Sequence, residues 1–387
     1  MQPFNLLIKP SGADCNLDCK YCFYKHKSQQ KGREQQRMSE RVLRRLVEDY
    51  MRLGFSPAVF IWQGGEPTLI GLDFYKKVVE LQKNIGTDGQ EVANCLQTNA
   101  ILLNDEWCQF LHENKFLVGI SLDGPREFHD YYRLDHAGLG TFDRVMKAVE
   151  KCKEHKVEFN ALTLLNNRNV EHPEELFDFF VENDIEYLQF IPCIEINPAS
   201  GRAEDFSITP QQYGEFLCRL FDRWYNHGPQ NQRIRDFDSI LSYCITREHT
   251  ICTFGKRCSQ YVVIEHTGDV FCCDFFVEPK WRLGNIFKSP IEKLAAGDKK
   301  QTFARDKLNL GDKCLLCRHL SVCRGGCVKD RILLDEHRVS SIKDRESYFC
   351  ESYKRFFDYT MPRFMQIAAK LNAVTNKSAE SELMCLK

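Results

Sequence analysis

The chain has 387 residues, of which 43% are hydrophobic and 28% are charged, and its formal net charge is -1. These values are typical of a globular protein with two or three domains, and the scattered charge predicts no nucleic-acid or membrane partner. No apolar run reaches the ~20 residues of a membrane-spanning helix, and the first residues lack the apolar core of a signal peptide. We therefore expect a cytoplasmic protein.

The first 230 residues alternate short apolar runs with amphipathic segments. One such segment predicts a helix that begins near Ser39, because its apolar residues recur with helical spacing. The six predicted strands are FNLLIKP, AVFIW, NCLQTN, FLVGISLD, VEFNALTLL and EYLQFIP. Strand–helix alternation favours parallel strands with right-handed crossovers, and six units are too few to close a (β/α)8 barrel. The predicted fold class is therefore α/β with an open, TIM-like (β/α)6 barrel, although a doubly wound sheet would give the same pattern.

Three cysteines follow the first predicted strand in the segment CNLDCKYCFY, at Cys15, Cys19 and Cys22. A structural zinc site normally closes with four ligands, so three thiols predict a metal centre with one open position. Their loop follows the carboxyl end of a strand, where barrel enzymes carry their active sites. The alternative is a zinc site that takes its fourth ligand from elsewhere in the chain.

Polar motifs end the next three predicted strands, namely WQGGEP (62–67), QTN (97–99) and SLDGP (121–125). Gly64 and Gly65 would let the backbone come close to a ligand, although a simple tight turn would use them as well. The carboxyl ends of parallel strands meet at one edge of a barrel. We therefore expect these motifs to form one site with the cysteine loop.

The alternation stops by about residue 245, where the chain becomes rich in cysteine, glycine and arginine. Nine of the 19 cysteines lie between Cys252 and Cys350, and seven others are scattered singly as expected small buried residues. Disulfides are rare in the cytosol, and a segment with so small an apolar core needs bound metal to fold. We predict a barrel over 1–230, a cysteine-rich domain with little regular structure and a C-terminal helix over 231–375, and a frayed tail over 376–387.

The spacing Cys-x3-Cys-x2-Cys resembles the signature of the radical S-adenosylmethionine (radical SAM) enzymes, and the later cysteines resemble their SPASM extension. Motifs along nearly the whole chain, among them QGGEPTL, GDVFCCDFF and YFCESYKRFF, resemble the anaerobic sulfatase-maturating enzymes. The resemblance implies three 4Fe-4S clusters, the first of which binds S-adenosylmethionine at its open iron. The implied ligands are Cys15, Cys19 and Cys22 for this cluster, Cys252, Cys258, Cys273 and Cys327 for a first auxiliary cluster, and Cys314, Cys317, Cys323 and Cys350 for a second. Cys272 departs from the family pattern as a spare thiol.

The same resemblance gives roles to side chains near these motifs. The residues that it implies as contacts to S-adenosylmethionine are Tyr21, Gly65, Ser121, Arg133 and Ile194. Tyr24 and Gln63 are candidate contacts to a substrate peptide, and either could equally be a packing residue. Asp274 is the candidate general base, because a positioned carboxylate can remove the proton of a thiol or hydroxyl group. Its alternative role is to order its own loop by accepting backbone N–H bonds.

The implied activity is oxidation of a Cys or Ser in a sulfatase Cys/Ser-x-Pro/Ala-x-Arg motif to formylglycine (3-oxoalanine). The implied partners are an unfolded or nascent sulfatase polypeptide and an electron donor such as flavodoxin or ferredoxin, and the enzyme is expected to be a monomer. One rival hypothesis is a SPASM maturase that forms thioether or carbon–carbon crosslinks in a ribosomal peptide. Such enzymes often carry an extra N-terminal recognition domain, for which the early position of Cys15 leaves no room. The other rival is a zinc-stabilised binding protein without catalytic activity.

Overall fold

The computed structural model describes residues 2–24, 35–197, 199–332 and 346–384. The chain folds into two compact units, and each unit is built from two segments. Unit 1 comprises Met1–Leu164 and Arg257–Asp306, and unit 2 comprises Leu165–Lys256 and Lys307–Lys387. The boundaries predicted at residues 230 and 375 divide the chain differently, into consecutive segments.

Strands and helices alternate through the first half of the described chain. The strands are β1 (Asn5–Lys9), β2 (Ala58–Trp62), β3 (Val92–Thr98), β4 (Leu117–Ser121), β5 (Phe159–Leu165), β6 (Tyr187–Pro192), β7 (Arg233–Ile234), β8 (Tyr261–Glu265), β9 (Asp269–Phe271) and β10 (Arg282–Asn285). The helices are α1 (Glu40–Met51), α2 (Leu72–Ile85), α3 (Asp105–Glu113), α4 (Arg126–Tyr132), α5 (Phe142–Glu154), α6 (Pro173–Glu182), α7 (Pro210–His227), α8 (Arg235–Thr246), α9 (Ile291–Ala296), α10 (Asp298–Asp306), α11 (Asp312–Leu315), α12 (Leu320–Cys323), α13 (Val328–Ile332) and α14 (Cys350–Met384). None of these helices combines the length and the apolar character that a bilayer crossing requires.

Unit 1 contains a mainly parallel sheet in the order β10-β9-β8-β1-β2-β3-β4-β5. The strands β1 to β5 pair in parallel in chain order, as the strand–helix alternation predicts. On its other side β1 pairs in parallel with β8, which places Lys9 opposite Glu265. The strands β9 and β10 continue the sheet with antiparallel pairing. The sequence predicts short strands in this late segment, but it does not predict that one of them pairs with β1.

The helix predicted near Ser39 is present as α1. The Ser39 hydroxyl accepts a hydrogen bond from the Val42 N–H at 3.3 Å. An N-cap of this kind stabilises a helix by about 1 kcal/mol. At the other end of the helix, the Tyr50 hydroxyl donates to the Phe4 carbonyl oxygen at 2.6 Å. This bond fixes α1 against the start of β1, the strand that leads into the cysteine loop.

In unit 2, the long C-terminal helix α14 packs against α7 and α8. An aromatic cluster forms this contact, and its members are Phe221, Trp224, Phe237, Phe356 and Phe364. The helix α14 continues to Met384, into the segment that the sequence predicts to be a frayed tail. The C-terminal region therefore has a larger apolar core than its sequence alone indicates.

Candidate active site

The loop that carries Cys15, Cys19 and Cys22 follows β1 and is bound to the end of β2 through its backbone. The Gly65 N–H donates to the Gly12 carbonyl oxygen at 2.8 Å, and the Glu66 N–H donates to the Asp14 carbonyl oxygen at 2.7 Å. A Cβ atom added at Gly65 would lie 2.0 Å from the Asp14 carbonyl oxygen. Gly65 is therefore required by the close approach of the cysteine loop, whatever further contact it makes to a cofactor.

The variant Gly65→Ala should lose iron at this loop after anaerobic reconstitution, because its new methyl group would displace the Asp14 backbone. Overpacking of this kind costs about 3 kcal/mol, which denaturant unfolding of the metal-free protein would measure. The matched control is Gly297→Ala, since its φ of -63° suits alanine and a Cβ atom there comes no closer than 3.2 Å to a non-neighbouring atom. Normal iron content and stability in Gly65→Ala would contradict the steric role.

A buried carboxyl group that follows β2 connects the same loop to the end of β3. Glu66 accepts hydrogen bonds from the Thr98 hydroxyl at 2.7 Å and from the Asn99 N–H at 2.8 Å, and burial raises the pKa of this carboxyl group. The Asn99 side-chain amide donates to Asn16 Oδ1 at 2.7 Å and lies 3.7 Å from the Cys15 sulfur. The GGE and QTN motifs thus hold the cysteine loop in place.

The three thiols of this loop suit a positively charged metal cluster. Burial raises the pKa of the Cys19 thiol to about 12 and that of Cys15 even further above its usual range. The nearby thiols of Cys19 and Cys22 and the charge of Glu66 contribute to the shift at Cys15. Such thiols become thiolates when a metal binds them, because the metal's charge replaces the lost hydration. The donor set therefore fits an iron–sulfur cluster with three protein ligands.

The SLDGP motif places a buried carboxylate, Asp123, next to the cysteine loop. The Arg133 guanidinium binds Asp123 through two nitrogens, each 3.0 Å from a carboxylate oxygen. The Tyr21 hydroxyl donates to the same carboxylate. In the same motif, the Ser121 hydroxyl accepts a hydrogen bond at 3.2 Å from the side-chain amide of Gln97 on the neighbouring strand β3. Four of the predicted cofactor contacts, Gly65 included, thus lie in unit 1, and their role toward the cofactor stays a prediction.

Ile194, the fifth predicted cofactor contact, lies in unit 2, two residues after the end of β6. Its side chain is buried, and its carbonyl oxygen accepts a hydrogen bond from Lys329 Nζ at 2.9 Å. The same ammonium group binds the side-chain carboxylate of Glu195 at 2.6 Å, so Lys329 contacts both Ile194 and the residue after it. A contact from this backbone to a cofactor stays a prediction.

The candidate base Asp274 lies in a second polar cluster of unit 1. The Gln63 side-chain amide donates to Asp274 Oδ2 at 2.9 Å, and the Lys9 ammonium forms an ion pair with Oδ1. The same ammonium lies over the ring of Tyr24, 4.3 Å from its centroid, and the Tyr24 hydroxyl donates to Glu265. The structure therefore brings together Tyr24, Gln63 and Asp274, which the sequence proposes as substrate contacts and base.

Lys9 and Glu265 are the two members of this cluster that the sequence analysis missed. They are the last residues of β1 and β8, and they lie opposite each other in the sheet. Lys9 is 1% exposed, so its charge needs partners of opposite sign. Burial acts to raise the pKa of Glu265, but hydrogen bonds from His266 and Tyr24 and the charge of Lys9 lower it overall. Burial and the neighbouring Glu265 raise the pKa of Tyr24 far above its usual range, so this phenol remains a donor.

The four thiols assigned to the second auxiliary cluster line one pocket in unit 2, and they are Cys314, Cys317, Cys323 and Cys350. The His319 N–H donates to the Cys317 sulfur at 3.4 Å. Burial raises the pKa of Cys323 to about 11, although the N–H groups of Gly325 and Gly326 act to lower it. Hydrogen bonds from backbone N–H groups to sulfur are typical of iron–sulfur sites. Within the described ranges, no three Cys, His, Asp or Glu side chains meet closely enough to hold a single metal ion.

The thiols assigned to the first auxiliary cluster are divided between the two units. Cys258 and Cys273 belong to unit 1, whereas Cys252 and Cys327 belong to unit 2. Burial raises the pKa of Cys273 to about 12, and the Tyr261 hydroxyl lies 3.5 Å from its sulfur. Buried thiols with a hydroxyl donor are suited to hold iron, and the complete set of four ligands stays a prediction.

The variant Cys323→Ser should make the segment of short helices α11 to α13 sensitive to protease, because the pocket then lacks one metal ligand. We expect roughly tenfold faster cleavage there, which corresponds to about 1.4 kcal/mol. Limited proteolysis with mass mapping measures this effect, and the aromatic core of α14 should keep the rest of unit 2 folded. The variant Cys244→Ser is the control, since this thiol lies outside all three predicted ligand sets. Equal resistance of the two variants would show that the metal does not stabilise the segment.

Comparison with known protein families gives two matches. The Radical SAM superfamily model matches residues 10–180, and the SPASM model, described as an iron-sulfur cluster-binding domain, matches residues 252–318. These ranges contain the N-terminal cysteine loop and most of the later cysteines.

Relatives and solved structures match over nearly the whole chain. The serine-type anaerobic sulfatase-maturating enzyme of Bacteroides thetaiotaomicron is 36% identical, with 99% of this chain and 95% of that enzyme covered. The cysteine-type enzyme of Clostridium perfringens is 37% identical, with 95% and 99% covered. The solved structure of native anSMEcpe with bound AdoMet and Cp18Cys peptide is similar with a TM-score of 0.87 and 37% identity, covering 95% of this chain and 100% of that one. The predicted α/β fold class is thereby confirmed.

Proposed function

We propose that this chain, which belongs to the anaerobic sulfatase-maturating enzymes of the radical SAM superfamily, oxidises a Cys or Ser residue of a sulfatase to formylglycine. The target residue would lie in a Cys/Ser-x-Pro/Ala-x-Arg motif. The observation that carries the proposal is the cluster of Lys9, Gln63 and Tyr24 around Asp274, one residue after a candidate cluster ligand. This cluster would supply a positioned carboxylate beside the proposed first auxiliary cluster, which would act as the electron acceptor.

The N-terminal site would hold the cofactors that start the reaction. When bound, the reduced cluster and S-adenosylmethionine supply a radical that removes a hydrogen atom from Cβ of the target residue. The proposed cluster ligands are Cys15, Cys19 and Cys22, and the proposed contacts to S-adenosylmethionine are Tyr21, Gly65, Ser121, Arg133 and Ile194. The ion pair between Arg133 and Asp123 supports this assignment, because it fixes the guanidinium beside the cysteine loop.

Asp274 would accept the proton that the target thiol or hydroxyl group loses during the oxidation. Its ion pair with Lys9 and its hydrogen bond from Gln63 orient the carboxylate. A carboxylate within hydrogen-bond reach of the target is well suited to this task. Tyr24 and Gln63 would contact the substrate peptide next to it.

Two auxiliary clusters would pass on the electron that the oxidised product releases. The proposed ligands are Cys252, Cys258, Cys273 and Cys327 for the first and Cys314, Cys317, Cys323 and Cys350 for the second. Four ligands each leave no open iron, which suits electron transfer. We further propose a monomeric cytoplasmic enzyme that acts on an unfolded or nascent sulfatase chain and receives electrons from a flavodoxin or ferredoxin.

Anaerobic incubation with reductant, S-adenosylmethionine and synthetic sulfatase-motif peptides tests the proposal. Peptides with Cys, Ser or Ala at the target position should give an aldehyde from Cys, Ser or both, and none from Ala. Hydrazide labelling followed by mass spectrometry detects the aldehyde and separates it from the crosslinked product of a peptide maturase. Release of 5′-deoxyadenosine without any aldehyde would contradict the proposed function.

A further inference from the structure

A buried ammonium group joins the two unit 1 segments that carry Cys258 and Cys273. Lys300, on α10, donates through Nζ to the carbonyl oxygens of Cys258 at 3.1 Å, Tyr261 at 2.8 Å and Cys272 at 2.8 Å. Its side chain is 3% exposed. These three bonds match the three donors of an ammonium group.

The placement of this lysine is not explained by packing alone. Burying an ammonium group costs several kcal/mol unless its donors find acceptors, so an apolar side chain would fill the space at lower cost. Two of the three acceptors belong to a candidate cluster ligand, Cys258, and to Cys272, the residue before another candidate ligand. The Cys258 N–H also donates to the Ala304 carbonyl oxygen of the same helix at 3.3 Å. Helix α10 therefore fixes the backbone of both thiol-bearing segments.

We propose that Lys300 is a positioning residue for the first auxiliary cluster. It holds the two segments that carry Cys258 and Cys273, and its positive charge raises the reduction potential of the cluster. This inference rests on the proposed function, because it takes these two thiols as cluster ligands. Reduction adds a negative charge to a cluster, so a fixed positive charge nearby stabilises the reduced form. A higher potential makes the cluster a better acceptor for the electron that the product releases.

The neighbouring Lys299 provides a matched control. Its ammonium group donates to the Arg282 carbonyl oxygen at 3.0 Å, and its side chain is exposed to solvent. The two lysines have the same charge, are adjacent in the chain and lie on one helix. They differ in burial and in which carbonyl groups they bind, so only a Lys300 variant should affect the cluster.

The test uses the full chain in which Cys15, Cys19 and Cys22 are replaced by alanine, so that only auxiliary clusters contribute. Potentiometric titration followed by electron paramagnetic resonance compares the variants Lys300→Gln and Lys299→Gln. In Lys300→Gln we expect one couple to become about tenfold harder to reduce, which is about 59 mV for one electron. The other couple should not move, and Lys299→Gln should move neither.

A purely structural lysine would change iron content and stability but not the potential of a loaded cluster. Unchanged potentials in Lys300→Gln, or an equal shift in Lys299→Gln, would overturn the inference. If Lys300→Gln binds less iron, Lys300→Arg becomes the deciding variant, because arginine keeps the positive charge. The equilibrium constant for reduction of the cluster should then change by no more than a fewfold. A tenfold change in Lys300→Arg would also overturn the inference. The proposed function is tested separately, by measuring formylglycine formation in the chain with its native cysteines. If that chain forms formylglycine while the potentials do not shift as expected, only the inference about Lys300 fails.

Discussion

Replacing Cys15, Cys19 and Cys22 together with alanine should remove about four of about twelve bound irons and abolish cleavage of S-adenosylmethionine. These thiols are the candidate ligands of the one cluster with an open position, and the carboxylates nearby cannot replace them at an iron–sulfur site. Iron analysis after anaerobic reconstitution and chromatographic detection of 5′-deoxyadenosine measure the two effects. The remaining irons should stay bound at the later cysteines.

The matched control replaces three single cysteines outside all predicted ligand sets, Cys95, Cys218 and Cys244, with alanine. This variant should keep its full iron content and its activity, so a loss in the first variant cannot be attributed to the number of thiols removed. Release of 5′-deoxyadenosine by the Cys15, Cys19 and Cys22 variant would exclude radical chemistry at this loop.

The parallel strands of unit 1 could be predicted because their pattern is local. Each of β1 to β5 is a short apolar run, and the helices between them show helical spacing within a few turns. The pairing of β1 with β8 could not be predicted in this way, since Leu6 lies opposite Val262 across more than half the chain. Nothing in a local pattern states which late strand fills the free edge of β1.

The residues of the candidate site likewise divide into those that local motifs identify and those that only distant strand pairing identifies. The resemblance to a known family proposes Tyr24, Gln63 and Asp274, and the fold brings them together. The positions of Lys9 and Glu265 depend on the β1–β8 pairing, which places them opposite each other, so that the charge of Lys9 helps to lower the pKa of Glu265. Their sequence signal is a charged residue directly after a buried apolar run, in LLIK and VVIE. That signal identifies each strand end, but only the sheet register shows that Lys9 and Glu265 lie opposite each other.

The C-terminal region illustrates how a distant contact changes an expectation about stability. Its sequence indicates a small apolar core because the aromatic residues of α14 lie on one helix, far along the chain from the other helices that they pack against. Their partners are Phe221 and Trp224 on α7 and Phe237 on α8, more than a hundred residues earlier. Metal dependence is therefore expected to be strongest in the short helices between the cluster thiols, which contribute no member to this aromatic cluster.

The variant Asp274→Asn should form formylglycine about 10²–10⁴-fold more slowly while still releasing 5′-deoxyadenosine. Asparagine keeps the shape of the side chain and can still accept the hydrogen bond from Gln63, but it cannot take up the target proton. Generation of the radical belongs to the N-terminal cysteine loop, so it should continue without being coupled to product. Parallel measurement of aldehyde and 5′-deoxyadenosine in one reaction gives the ratio that reports this uncoupling.

The ion pair with Lys9 makes a second variant necessary, since Asp274→Asn also leaves a buried ammonium group without its carboxylate. Breaking a buried pair from one side costs about 3–5 kcal/mol, and the stability loss could by itself slow the reaction. Adding Lys9→Met removes the stranded charge, so the double variant should recover stability in denaturant unfolding. The Lys9→Met substitution does not restore the carboxylate of Asp274, so formylglycine formation should stay slow if Asp274 is the base. Recovery of activity in the double variant would show that Asp274 only neutralises Lys9 and orders its loop.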